Sequence, residues 1–434
     1  VLTKVAVTVY AGGLVFQQVF GIKELWGIDF FWIAAIGLVV LTALYTIFGG
    51  MKSVLYTSVL QTPILLLGSL IILVLGFKEL GGWDEMMRVC GAVTVNDYGD
   101  TMTNLIRSND DANFPWLGAL IGSAIIGFWY WCTDQFIVQR VLSGKNEMEA
   151  RRGTIFGAYL KLLPVFLFLI PGMIAFALHQ KYIGAGGEGF LPMLANGTAN
   201  ADAAFPTLVA KLLPAGVKGL VVCGILAALM SSLASLFNSS AMLFTIDFYK
   251  RFKPETPEKK LVGIGQIATI VIVVLGILWI PIMRSVGDVL YTYLQDVQSV
   301  LAPGIAAAFL LGICWKRTSA QGGMWGLISG MVIGLTRLGA KVYYSNAGEV
   351  ADSTFKYLFY DMNWLFFCGW MFLFCIIVVI VVSLATEAPT AEKIQGLVFG
   401  TATKEQKAAT RASWNHWDII HTVIILAITA AFYW

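Results

Sequence analysis

The chain has 434 residues, of which 58% are hydrophobic and 13% charged, with a net charge of +3. That is too little charge to cover a soluble surface of this size, so the composition implies a polytopic membrane protein. The small, dispersed basic excess leaves no footprint for nucleic acid, and the cysteines, none in a CxxC spacing, imply neither structural zinc nor a disulfide framework.

Apolar runs of about 18 residues or more recur along the chain, the length a helix needs to cross about 30 Å of hydrocarbon. A β-barrel would show alternating segments of about 10 residues instead. The expected fold is therefore all-α, with about 11 transmembrane helices, at 1–19, 29–48, 53–77, 115–142, 152–178, 217–248, 260–283, 286–314, 321–339, 363–385 and 417–434. The transmembrane core covers 1–385, a polar cytoplasmic linker 386–416, and the last helix 417–434. The chain opens at Val1 inside an apolar run and is expected to be truncated at its N-terminus.

Orientation follows from lysine and arginine in alternate loops. One set, from Lys52 and Arg140 to Arg411, holds sixteen; the other, which includes Arg337 and Lys341, holds eleven over longer loops. The richer set is expected to be cytoplasmic. By this reading only Lys4 and Lys161, of 29 basic residues, lie inside spans, and each needs a polar partner.

The costliest polar groups fall between Phe128 and Lys161. Tyr130, Trp131, Asp134 and Gln135 occupy the second half of the span 115–142, where Gly122 and Gly127 are expected to loosen the helix. An aromatic pair there is either an interfacial anchor or a plate for the apolar face of a pyranose, with amides nearby for its hydroxyls. Lys161 lies ten residues into the next span and is followed by Leu162, Leu163 and Pro164, so it cannot readily snorkel. It either pairs with Asp134 or donates to a ligand hydroxyl.

Residues 204–215 are too short to cross and read as an external helix. In 217–248, Ala228, Ser231, Ser232 and Ser235 share one face. Such a stripe either lets two helices approach closely or supplies oxygens to a sodium ion. Pro303-Gly304 is expected to break the span 286–314, which carries Tyr291, Gln295 and Asp296. A buried glutamine there either pairs with a neighbouring helix or contacts a ligand. No nucleophile and base stand at a usable spacing, so an enzyme is not expected.

The stretches WYWCTDQFIVQR (129–140), AYLKLLP (158–164), LMSSLASLFNSSAMLFTIDFY (229–249), YLQ (293–295) and AAAFLLGICWKR (306–317) together resemble the sodium/glucose cotransporter branch of the solute:sodium symporter family, over nearly the whole chain. The resemblance implies an inverted-repeat fold of the amino-acid/sodium symporter type and alternating access. It implies that Ala228, Ser231 and Ser232 bind sodium, that Tyr130 is the inner gate stacking on a sugar with Trp131 beside it, and that Lys161 and Gln295 bond sugar hydroxyls. It further implies that Tyr291 closes the site from outside, that Lys4 lies near the sugar, and that Asp134, Gln135 and Ser235 are candidates for coupling. The segment carrying the first core helix would be absent.

Three positions depart from the family pattern: Ser58 where many relatives carry Asp, Ala234 where two-sodium members can have Thr, and Gly127 in place of a polar residue. The first two remove charge or oxygen. The expected activity is sodium-coupled symport of a glucose- or galactose-type monosaccharide, one sodium per sugar, across the plasma (inner) membrane. Inositol or another small solute is the alternative within the family; a sodium-linked sugar sensor or leak channel is the alternative outside it. The partners expected are the sugar, sodium and the lipid bilayer.

Overall fold

The computed structural model of the chain describes residues 2–194, 197–286, 290–346 and 351–433. An apolar environment offers the backbone no hydrogen-bond partner, so long apolar runs close their bonds internally as helices. In chain order these are α1 (Leu2–Phe20), α2 (Phe30–Leu80), α3 (Trp83–Gly91), α4 (Trp116–Cys132), α5 (Gln135–Leu142), α6 (Glu147–Pro164), α7 (Ile170–Gly184), α8 (Ala204–Leu212) and α9 (Ala215–Met242). There follow α10 (Lys250–Phe252), α11 (Glu258–Val286), α12 (Leu290–Cys314), α13 (Ala320–Asn346), α14 (Thr354–Lys356), α15 (Trp364–Ala385), α16 (Ala391–Ile394), α17 (Lys404–Ala412) and α18 (His416–Tyr433). Wide π-helical turns occupy Val165–Leu169, Leu243–Tyr249 and Tyr357–Asp361.

Among the described residues six helices are long and apolar enough to cross a membrane, or eight if each of two bent pairs counts as one span. Val59, Leu60, Leu278, Trp370 and Leu426 stand exposed on helix surfaces, an arrangement suited to lipid. The spans expected at 29–48 and 53–77 belong to one helix, α2. The structure also corrects three sequence expectations inside the spans. Pro303 does not break its span, because α12 runs through it from Leu290 to Cys314. The span 115–142 does break, with a 45° bend, but at Thr133-Asp134 rather than at its glycines. Lys4 and Lys161 are not the only basic residues lodged in helices: α13 continues past 339 and carries Arg337, which is fully buried, and Lys341.

The chain divides into two compact units. The first comprises Val1–Val95, Thr101–Thr103 and Leu162–Leu290. At its centre α2 lies against α9. A methyl added at Gly68 would stand 2.5 Å from Val221, and one at Gly224 2.9 Å from Ile64, so glycine sets this close approach. Ile72, Ile174, Leu178, Leu208, Val209 and Val221 form the adjoining core. The helix expected at 204–215 is α8; its Lys211 donates to the Phe190 carbonyl at 2.8 Å. Just before it, Asp202 accepts the Leu290 N–H at the head of α12 through both carboxylate oxygens, at 3.2 and 3.1 Å. Burial raises the Asp202 carboxyl above its usual range, partly offset by that N–H.

The second unit comprises Asn96–Asp100, Asn104–Lys161 and Tyr291–Trp434. Here α4 packs on α15: Ile125, Ile126 and Trp129 share a core with Leu365, Cys368, Ala302 and Ala306. The loop before α4 is tied by Asp111, whose carboxylate accepts the Asn113 and Phe114 N–H groups at 2.9 and 2.7 Å. Trp364 Nε1 donates to the Asn113 carbonyl at 3.1 Å, joining this loop to the start of α15.

The two glycines of α4 differ sharply in surroundings. A methyl on Gly122 would lie 2.8 Å from the Leu365 carbonyl oxygen, whereas one on Gly127 would meet nothing within 4 Å. Backbone cannot swing aside as a side chain can. Gly122→Ala is therefore expected to destabilise the folded protein by about 1–3 kcal/mol, and Gly127→Ala to be neutral or stabilising by up to about 1 kcal/mol. Thermal unfolding of the two variants in detergent distinguishes these outcomes.

Candidate functional site

The residues singled out in the sequence fall into two groups, one in each unit. Ala228, Ser231, Ser232 and Ser235 lie on α9 in the first. Ser231 and Ser235 are buried, and the Ser231 hydroxyl lies 2.6 Å from that of Ser58 on α2, either one donating. The contacts of Gly68 with Val221, Ile64 with Gly224 and Ser58 with Ser231 define one antiparallel register. That register brings Gln61 level with Ala227 and Ala228. The Gln61 Oε1 atom is buried and has no hydrogen-bond partner among the described residues.

Sequence reasoning passed over Gln61. Its signal was available, since it follows Ser58 at i+3 and so shares its face. Two hydroxyls and an open amide oxygen suit a hard monovalent cation, which favours neutral oxygen donors. Further along α9 the hydroxyls of Ser239 and Ser240 are used internally, donating to the Leu236 carbonyl at 3.1 and 2.6 Å. They serve the helix itself. Among the described residues no group of three or more His, Cys, Asp or Glu side chains converges as a metal site. Lys4, on α1 of the same unit, is partly buried.

In the second unit Tyr130 and Trp131 stand edge to face, ring centroids 5.2 Å apart and planes at 89°. They end α4 just before its break. There the Thr133 hydroxyl donates to the Trp129 carbonyl at 2.7 Å, and Asp134 caps α5 by accepting the Phe136 N–H at 3.2 Å. Asp134 thus has a local structural task, and Gln135 is the first residue of α5. Lys161, late in α6, places its ammonium 5.6 Å from the centroid of Trp131, within reach of a cation–π interaction. On α12 the Gln295 Nε2 donates to the Tyr291 hydroxyl at 3.1 Å, and Tyr291 is more than half exposed.

The chain as a whole is similar to known proteins. Residues 1–330 match the Sodium:solute symporter family, and the chain belongs to that family. It is 35% identical over 412 residues to Sodium/myo-inositol cotransporter 2 of Homo sapiens, an alignment that covers 92% of this chain and 60% of that protein. It is 34% identical over 454 residues to the sodium/mannose cotransporter of Bos taurus, covering 100% of this chain and 75% of the relative. With Sodium/glucose cotransporter 1 of Ovis aries the identity is 36% over 403 residues, covering 89% and 60%. The chain therefore spans three fifths of the length of the first and third of these relatives. Among solved structures, a Na+-coupled sialic acid symporter in a substrate-bound outward-open state superposes with a TM-score of 0.62 at 20% identity, over 90% of this chain and 75% of that one. The fold is thus the helical fold of the sodium-coupled symporters, as the sequence implied.

The capping geometry gives Asp134 a structural role. Asparagine caps a helix about as well as aspartate, while loss of the cap costs about 1 kcal/mol. Asp134→Asn is expected to keep wild-type thermal stability and Asp134→Ala to lose about 1 kcal/mol of it, read by thermal unfolding in detergent.

Proposed function

We propose that the full-length protein is a sodium-coupled symporter for a neutral, polyhydroxylated six-membered ring, a monosaccharide of the glucose or galactose type. The observation that carries this reading is the Lys161 ammonium held against Trp131, with Tyr130 perpendicular to that ring. Aromatic faces receive the C–H side of a sugar, and an ammonium beside them has donors to offer a hydroxyl. Gln295 supplies an amide whose bond to Tyr291 can be exchanged for one to the solute. Relatives named for glucose, mannose and myo-inositol support a ring of this size, and myo-inositol is the alternative solute.

Sodium would sit among the Ala228 carbonyl and the Ser231 and Ser232 hydroxyls. Serine at position 58, in place of a carboxylate, supports one sodium per solute. Coupling requires that both ligands stabilise the same outward-facing state, each thereby raising the other's affinity. One sodium ion moving down about 100 mV contributes about 2.3 kcal/mol, enough for roughly fiftyfold accumulation of solute. The multi-pass chain would do this in the plasma membrane.

The test is uptake of labelled glucose, galactose, mannose and myo-inositol into proteoliposomes holding the full-length protein. Accumulation against a gradient in sodium, lost in choline, is expected for at least one of them. Facilitated entry without sodium dependence would identify a leak pathway instead. Lys161→Ala and Gln295→Ala are expected to raise the half-saturating solute concentration by about tenfold or more, the cost of one hydrogen bond to a charged or buried group. Ser232→Ala should raise the sodium requirement instead. The sodium dependence of uptake is expected to follow a Hill coefficient near one, and a value near two would require a second ion.

A further inference from the structure

Asp296 follows Gln295 directly and is nearly buried. Its carboxylate meets two cations of α13: Lys341 Nζ at 2.7 Å and Arg337 Nη2 at 3.7 Å. Arg337 is itself fixed, donating to the carbonyls of Leu358 at 3.3 Å and Met362 at 2.7 Å, with its guanidinium 4.1 Å from the Phe367 centroid. One acid therefore serves one fully buried and one partly buried base, a surplus of positive charge that a packing role alone does not call for. The same face of α12 is pressed onto α13 a turn later, where a methyl on Gly334 would stand 2.5 Å from the Val300 carbonyl oxygen. There is no slack for α12 to rotate at this level.

Successive helix residues point about 100° apart, so fixing Asp296 toward α13 fixes the direction of Gln295. Tyr291 lies one turn earlier on the Gln295 side and accepts its amide. The geometry points to Asp296 as a positioning residue: its clamp to Lys341 and Arg337 sets the rotation of α12 that presents Gln295 to the transported solute. This inference rests on the reading of Gln295 as a solute ligand. Asp296 itself touches no solute in this scheme; it acts through its neighbour.

The test uses the full-length protein in proteoliposomes, with whichever labelled solute the wild type accumulates. Asp296→Asn is expected to raise the half-saturating solute concentration about tenfold, comparable with loss of one buried hydrogen bond, and to leave the sodium half-saturation near wild type. In a Gln295→Ala background the same substitution should add little, because the group it positions is already gone. Two additive penalties would overturn the proposal, as would wild-type solute affinity in Asp296→Asn. Asp296→Asn with Lys341→Met removes one surplus cation and carries the same test if the single variant does not assemble; failure of both to assemble would assign the clamp to folding alone. If the wild type accumulates no solute in sodium, the transport reading fails and this inference falls with it; additive penalties in a wild type that does accumulate solute overturn this inference alone.

Discussion

A polar group placed among apolar helices must find a partner or a ligand, and this constraint organises the molecule. The bilayer interior offers neither water nor counter-ions, so each hydroxyl, amide or charge in a helix is either used by the protein or kept for a guest. Ser239 and Ser240 are used at once, on their own helix. Arg337 is used three times over, by two carbonyls and a ring, with Asp296 close by. Gln61, with its open acceptor, and Lys161, held at an aromatic face, are the contrasting cases. Of these two, Lys161 is also a position that the family resemblance implies, and Gln61 is not.

Glycine contacts provide the rigid frame around those positions. Gly68 and Gly224 bring α2 and α9 close enough for Ser58 and Ser231 to touch. Gly122 fixes α4 on α15, and Gly334 fixes α12 on α13. In each case a side chain would collide with a neighbour, so these helices have one way to seat. A hydroxyl pair or an amide on such a helix inherits its precision from the backbone beneath it. The two units each contain part of the binding machinery proposed here, the cation-binding hydroxyls in one and the aromatic plate with its lysine and glutamine in the other.

Much of the helical plan was legible in the sequence because lipid enforces it: uninterrupted apolar runs have no alternative to internal hydrogen bonding. The contact of Lys161 was not: the sequence offered Asp134 or a ligand hydroxyl, and the ammonium lies at the Trp131 ring. What escaped was long-range or dependent on local context. Arg337 sits near the end of an apolar run and reads as a loop residue until Asp296, some forty positions earlier, is seen to face it. Pro303 carries the outward mark of a break, yet a membrane helix tolerates proline where neighbouring helices pack around it. Gly122 and Gly127 look alike in sequence because periodicity says nothing of what lies opposite. The true interruption had a readable sign, an aspartate directly before a new helical turn, which is an ordinary capping pattern.

That interruption separates stiffness from reach. Upstream of it, Gly122 lets α4 lie wedged against α15; downstream, α5 starts afresh from the Asp134 carboxylate cap, with Gln139 buried along it. The 45° change of direction at Thr133-Asp134 is therefore made without unwinding either helix. The aromatic pair stands at the elbow itself, so the direction in which it points is tied to that bend.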